Sequence, residues 1–225
     1  MPMPDKLTHS DSPLTHSHER AQAGQILRSS FLALLALTAF FIGLIALGIF
    51  APKPYGGLIA VSRPGLSKLT GRDVVFLPVE SGAYPSLARK PYSIRLNAAY
   101  REGEQDSGFG LALGDKGHEF VVAVSPLGYV SVWETNGDLP VIEHLPWLTW
   151  PHVKSGTAQN EIWLDVAPTE NGSLVTARVN RELLWRGETD TFAPAAGLWL
   201  GSFGGPVSVD FNQVEWFAKD YPEGY

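Results

Sequence analysis

Ser29 to Phe50, SSFLALLALTAFFIGLIALGIF, is a run of 22 residues without a charge. At about 1.5 Å of rise per residue, a helix of that length spans about 33 Å, against a hydrocarbon core of about 30 Å. Arg28 closes the run on one side, and Pro52, Lys53 and Pro54 close it on the other. The competing reading is a cleaved leader, because Ala46-Leu47-Gly48 has the small-x-small form of a cleavage site. A leader's apolar stretch covers only about 7–15 residues behind a short basic segment. This run is longer and the segment before it is long, so an uncleaved single-pass transmembrane helix is expected. Arg20 and Arg28 flank one side and Lys53, Arg63 and Lys68 the other, so flanking charge leaves the orientation open. Ala39-x-x-x-Gly43 has the small-residue spacing that lets two such helices approach closely.

The run divides the chain. Residues 1–28 read as a disordered tail rich in Pro, Ser, Thr, His, Asp and Lys, with three basic and three acidic side chains. His9, His16 and His18 lie in it with nothing to fix a metal geometry, and a solvated tail is the simpler reading. The formal charge of −6 therefore belongs to the rest of the chain, beyond the uncharged run. An acidic domain without a basic stripe does not suit nucleic acid or an anionic lipid surface. There is no cysteine, which removes disulfides and cysteine-based zinc sites. Residues 51–72, broken by Pro54, Gly56, Gly57, Pro64 and Gly65, read as a linker. A domain over 73–219 and a short C-terminal tail over 220–225 complete the expected organisation.

Within 73–219 the apolar residues alternate, which is the period of a half-buried strand. Ile94, Leu96, Ala98 and Tyr100 share one face; Phe109, Leu111 and Leu113 share another, opposite Gly110, Ala112 and Gly114. A face of Gly and Ala lets a ligand or another part of the chain come close to the backbone. Phe120, Val122 and Val124 repeat the pattern, as do Ile162, Leu164 and Val166, and then Val175, Ala177 and Val179. In the last strand Val207, Val209 and Phe211 share a parity that Val214 and Trp216 reverse, so a β-bulge is expected near Asn212-Gln213. Turns fall at Asp115-Lys116-Gly117, Asn136-Gly137-Asp138 and Asn171-Gly172. About ten strands at spacings of roughly 8–14 residues, with 23 glycines and 17 prolines, predict an all-β antiparallel sandwich behind one N-terminal helix.

The order of these segments resembles a known family. Phe109-Gly110-Leu111-Ala112-Leu113 precedes Glu119 to Val124; Gly128 to Val132 precedes Trp150, Gly156 and Asn160 to Val166; Gly197-Leu198-Trp199-Leu200 leads into Val207 to Val214. From Tyr92 to Phe217 this resembles the concanavalin A-like lectin/glucanase jelly rolls, in particular membrane-anchored bacterial members and the related domain linked to 3-keto-glycoside hydrolysis. The resemblance implies a jelly-roll sandwich displayed outside the cytoplasm, with the N-terminal tail inside. One departure bears on activity: the glucanases carry E-x-D-x-E or E-x-D-x-x-E on one strand, and no such run is present. The nearest acidic cluster, Glu102 to Asp106, falls in an expected loop and reads as a solvated turn.

Four of the seven tryptophans are candidate ligand-binding residues, because indole faces stack on sugar rings. Trp147 and Trp150 sit in the proline-flanked segment LPWLTWP, where packing of the loop is the alternative role. Trp133 and Trp163 lie opposite the inward residues of their strands and point to the outer or concave side. His118, His144 and His152 have no partner at metal-ligand spacing. No cofactor is expected. Calcium is the one metal considered, at Asp115 with Glu119 or at Asn136 with Asp138, where turn chemistry is the simpler account. The chain therefore reads as a non-catalytic, lectin-like binding module at the cell membrane, with a glycan or protein partner outside the cytoplasm. An accessory structural subunit of a larger membrane complex is the alternative, and a glycoside-acting hydrolase the third.

Overall fold

The computed structural model describes residues 15–46, 51–79, 90–137, 139–189 and 195–219. Two compact units divide at Ala51 and Pro52. The first contains one helix, α1 (Thr15–Ala46). It starts well before Ser29, so residues 15–28 are helical rather than the unstructured tail that their polarity suggested. Glu19, Arg20, Ala21, Gln22 and Ala23 are good helix formers and carry the helix forward into the apolar run. Phe31, Leu34, Phe40, Ile42 and Ile45 are exposed around this unit, and the Thr38 hydroxyl donates to the Leu34 carbonyl one turn back at 2.9 Å. Among the described residues, no helix is long and apolar enough to cross a membrane. The end of the expected span, residues 47–50, and the expected tails over 1–14 and 220–225 lie outside the described residues.

The second unit is a two-sheet antiparallel sandwich. Its strands are β1 (Gly57–Ser62), β2 (Gly65–Leu69), β3 (Asp73–Val79), β4 (Tyr92–Gly103), β5 (Ser107–Asp115), β6 (His118–Val124), β7 (Tyr129–Glu134), β8 (Ile142–Thr149), β9 (Asn160–Pro168), β10 (Ser173–Val179), β11 (Glu182–Thr189), β12 (Ala196–Ser202) and β13 (Val207–Ala218). One sheet runs β1-β13-β4-β9-β10-β11, with β2 also on β13; the other runs β3-β12-β5-β6-β7-β8. The alternating residues meet between them: Ile94, Leu96, Phe109, Leu111, Phe120, Val122, Ile162, Leu164, Val175 and Val209 are all essentially inaccessible. Each such side chain contributes on the order of 1.5–3 kcal/mol.

Two features of β13 show how sequence becomes register. Pairing with β4 slips between Phe211 and Gln213, so Asn212 is the extra residue and Val214 and Trp216 return to the core. The expected linker over 51–72 contains β1 and β2, and both pair with β13. β2 takes Val207 to Phe211, and β1 takes Val214 to Ala218. Two short strands thus lie end to end along one long strand, separated by Arg63-Pro64 at the break. The glycines and prolines that suggested a linker mark strand ends, and the pairing comes from a partner about 150 residues away in sequence.

Candidate functional site

The outer face of the six-stranded sheet is built from alternate residues of six strands. One row across it runs Phe76, Trp199, Gly110, Ala123 and Ser131; the next runs Gly197, Ala112, Val121, Trp133 and Glu143. Its middle is paved with Gly and Ala, and the aromatic rings lie over that floor. A Cβ on Gly108 would stand 2.8 Å from Trp147 Cη2 and 3.0 Å from Trp199 Cζ3. One on Gly201 would stand 2.6 Å from Trp199 Cη2, and one on Gly197 would strike the Phe76 ring. The close approach that the Gly/Ala face permits is therefore used by aromatic side chains of β3, β8 and β12.

Ala112, Val121, Ala123 and Trp199 form a second buried apolar cluster on this face, with Phe76 and Trp133 packed against it. Trp133 meets Trp199 edge-on at 4.9 Å between ring centroids and 78° between planes, and lies 6.1 Å from Trp147. Both separations fall in the range of favourable aromatic pairing. Trp199 is nearly buried, Trp133 partly so, and Trp147 is 37% exposed, so the cluster rises from the floor to an open ring.

Over this cluster lies a hollow of about 610 Å³ lined by Phe76, Trp133, Trp147 and Trp199, with Glu119, Glu143, Ser131 and Lys116 among its polar groups. A second hollow of about 500 Å³, with Asp106, Ser125, Leu127 and Tyr129, shares Trp147 and Phe203 with the first. Glu119 is nearly buried: one carboxylate oxygen accepts from the Gly117 amide at 2.8 Å, the other from the Thr135 hydroxyl. The Ser131 hydroxyl donates to the Leu145 carbonyl at 2.8 Å and so braces β7 against β8.

Of the four candidate tryptophans, Trp133 and Trp147 come together here, and Trp150 and Trp163 do not. Trp150 packs against the main core, and its buried indole nitrogen has no hydrogen-bond partner among the described residues. Trp163 stands on β9 in the other sheet and is 1% exposed. Its indole donates to Asp165 Oδ1 at 2.7 Å, and the Ser93 hydroxyl donates to the same oxygen at 2.6 Å. Arg178 lies 3.7 Å from Asp165. Burial raises the Asp165 pKa, while Ser93, Trp163 and Arg178 pull it back down. Arg95 nearby bonds Glu215 at 2.5 Å and sits 5.1 Å from the centre of the Phe217 ring. That face is therefore a polar network packed around an indole.

Trp199, Phe76 and Glu143 belong to the site but were not among the sequence candidates. The alternation Gly197-Leu198-Trp199-Leu200-Gly201 carries the signal for Trp199, since its parity puts one indole between two glycines on the face opposite two leucines. For calcium, Glu119 has the partners given above and Asp138 lies outside the described residues. Among the described residues, no group of three or more metal-ligating side chains gathers. His144 lies 3.3 Å from Glu134 and 4.8 Å from the Trp185 ring, at the open edge between the sheets.

No family model and no curated protein matches the chain. Among solved structures it is similar to the CBM40 of Ruminococcus gnavus IT-sialidase bound to α2,3-sialyllactose, at 16% identity over 74% of this chain and 95% of that one, with a TM-score of 0.45. It is also similar to the carbohydrate binding module CBM66 from Bacillus subtilis, at 13% identity over 72% and 94% of the two chains, with a TM-score of 0.39. The binding domain of botulinum neurotoxin DC, in complex with rat synaptotagmin II, gives 8% identity over 75% and 43%, with a TM-score of 0.45. Likenesses this distant carry no argument about activity, which rests on the residues themselves.

Proposed function

We propose that this chain is a membrane-anchored, lectin-like glycan-binding module. Its jelly-roll sandwich would be displayed outside the cytoplasm, and the outer face of the six-stranded sheet would take the ligand. The observation that carries the reading is the aromatic group Trp133–Trp147–Trp199 with Phe76, held on a glycine floor inside an open hollow. A pyranose presents an apolar C–H face to such rings, while its hydroxyls need convergent polar groups, which the exposed Glu143 and Lys116 supply at the rim. Membrane anchoring is supported by the uncharged run from Ser29 to Phe50 and by the Thr38 hydroxyl, which is satisfied within the helix.

The reading is non-catalytic. A retaining glycosidase pair stands about 5–5.5 Å apart. Glu119 and Glu143 are not such a pair: they stand on β6 and β8, two strands apart and in different rows, and Glu119 is nearly buried with both carboxylate oxygens held by Thr135 and Gly117. The test is tryptophan fluorescence of the full-length protein against a panel of oligosaccharides. Quenching or a shift with at least one glycan, and no release of reducing ends over hours, is the expected result. A flat response across the panel would remove the reading.

The alternative, an accessory subunit of a membrane complex, is favoured by one feature. Leu139, Val141 and Ile142 are more than half exposed where β8 forms the sheet edge, and such an apolar edge suits a protein partner. Gentle extraction followed by native mass distinguishes the two, because a discrete large assembly would support the subunit reading over the lectin.

A further inference from the structure

We infer that the glycan taken by this face is cationic, a polymer or oligomer of amino sugars bearing free ammonium groups. The inference rests on the glycan-binding reading above and adds charge to it. Across the two hollows that share Trp147 and Phe203, the carboxylates are Asp106, Glu119 and Glu143, and Lys116 is the one cation among the described lining residues. The groove is therefore net negative on a chain that is itself at −6. Apolar walls focus such a field toward an approaching ligand.

The positions sharpen the argument. Glu143 lies directly opposite Trp133 across the β7–β8 ladder and is exposed, so an aromatic face and an open carboxylate stand side by side. That pair matches a pyranose carrying an amine: the ring takes the C–H face, and the carboxylate takes the ammonium. The indole faces add their own attraction for a cation, strongest for tryptophan. An acidic sugar would meet a net negative groove, whereas a neutral one would offer Glu143 hydroxyl hydrogen bonds but no opposite charge.

The experiment compares three probes on the full-length protein by tryptophan fluorescence and calorimetry at low and high salt. They are a tetramer of glucosamine, its fully N-acetylated counterpart, and an oligogalacturonate of similar length. The glucosamine tetramer is expected to bind at least tenfold more tightly than the acetylated one and to weaken in high salt, with the oligogalacturonate weakest of the three. In Glu143→Gln the ratio between the two glucosamine-based probes should fall toward one, with the melting temperature unchanged as the check on folding. Equal or tighter binding of the acetylated or the acidic probe overturns the charge inference and leaves glycan binding standing. An unchanged ratio in Glu143→Gln does the same. No binding of any of the three probes overturns the charge inference, and glycan binding itself then falls only if the wider oligosaccharide panel is also flat.

Discussion

Gly108→Ala places a single methyl group under two indoles at once. The new Cβ would stand 2.8 Å from Trp147 Cη2 and 3.0 Å from Trp199 Cζ3, where ordinary contact begins near 3.4 Å. The rings must therefore retreat by a few tenths of an ångström. Trp199 is nearly buried and has little room, whereas Trp147 is 37% exposed and moves outward over the groove. Two terms act on stability. Overpacking costs about 1–3 kcal/mol, and replacing a strand glycine with alanine returns about 0.5–1 kcal/mol of backbone entropy. The net loss is about 0–2.5 kcal/mol, or a fall in Tm of no more than about 10 °C for a domain of this size. The effect on the site is larger, because the displaced Trp147 is the ring that the two hollows share. Glycan affinity should fall about tenfold, equivalent to about 1.4 kcal/mol, and the tryptophan emission should shift. Thermal melting and fluorescence titration measure the two effects on one sample. Gly71→Ala, with nothing within 4 Å of its Cβ, is the control. If Gly108→Ala matches that control in both emission and affinity, the rings do not lie on the glycine floor and the site is misplaced.

Two further expectations concern the sandwich itself. Leu111→Ala removes a fully buried side chain between the sheets and should cost about 2–5 kcal/mol in urea denaturation; a loss under about 1 kcal/mol would contradict the packing. Asp165 sets a pH dependence. Its folded pKa lies above the ordinary carboxylate value, because burial outweighs its three partners. Its contribution is therefore fullest below about pH 4 and is lost as pH rises through the folded value. Asp165→Asn removes that titration, so the stability gap between wild type and variant should change across this window, moving against the wild type as pH rises. A gap that is constant with pH would mean that Asp165 is not desolvated.

Much of the sandwich was legible because burial follows parity. Ile94, Leu96 and Ala98, then Phe109, Leu111 and Leu113, read inward from spacing alone, and the reversal after Phe211 located the bulge at Asn212. Strands β1 and β2 were hidden, because Gly and Pro mark both a linker and the ends of short strands. Only pairing with a distant β13 separates the two cases. Parity also gave the correct face for Trp163, but it is silent about what covers a face. Asp165, Ser93 and their neighbours pack around that indole, and no local pattern announces them. The same limit applied to the Gly/Ala face of β5: openness was readable, whereas its occupants, Trp147 and Trp199, depend on strand order across the sheet.

The measurement that tests the central claim most directly is the affinity of one bound glycan for three proteins: wild type, Trp147→Ala and Trp163→Phe. Trp147 is the exposed ring of the proposed platform, and Trp163 is buried on the opposite sheet. The account predicts at least a tenfold loss in Trp147→Ala, with Trp163→Phe binding as wild type does. Loss in Trp163→Phe with Trp147→Ala unchanged would contradict it and move the site to the other face of the sandwich.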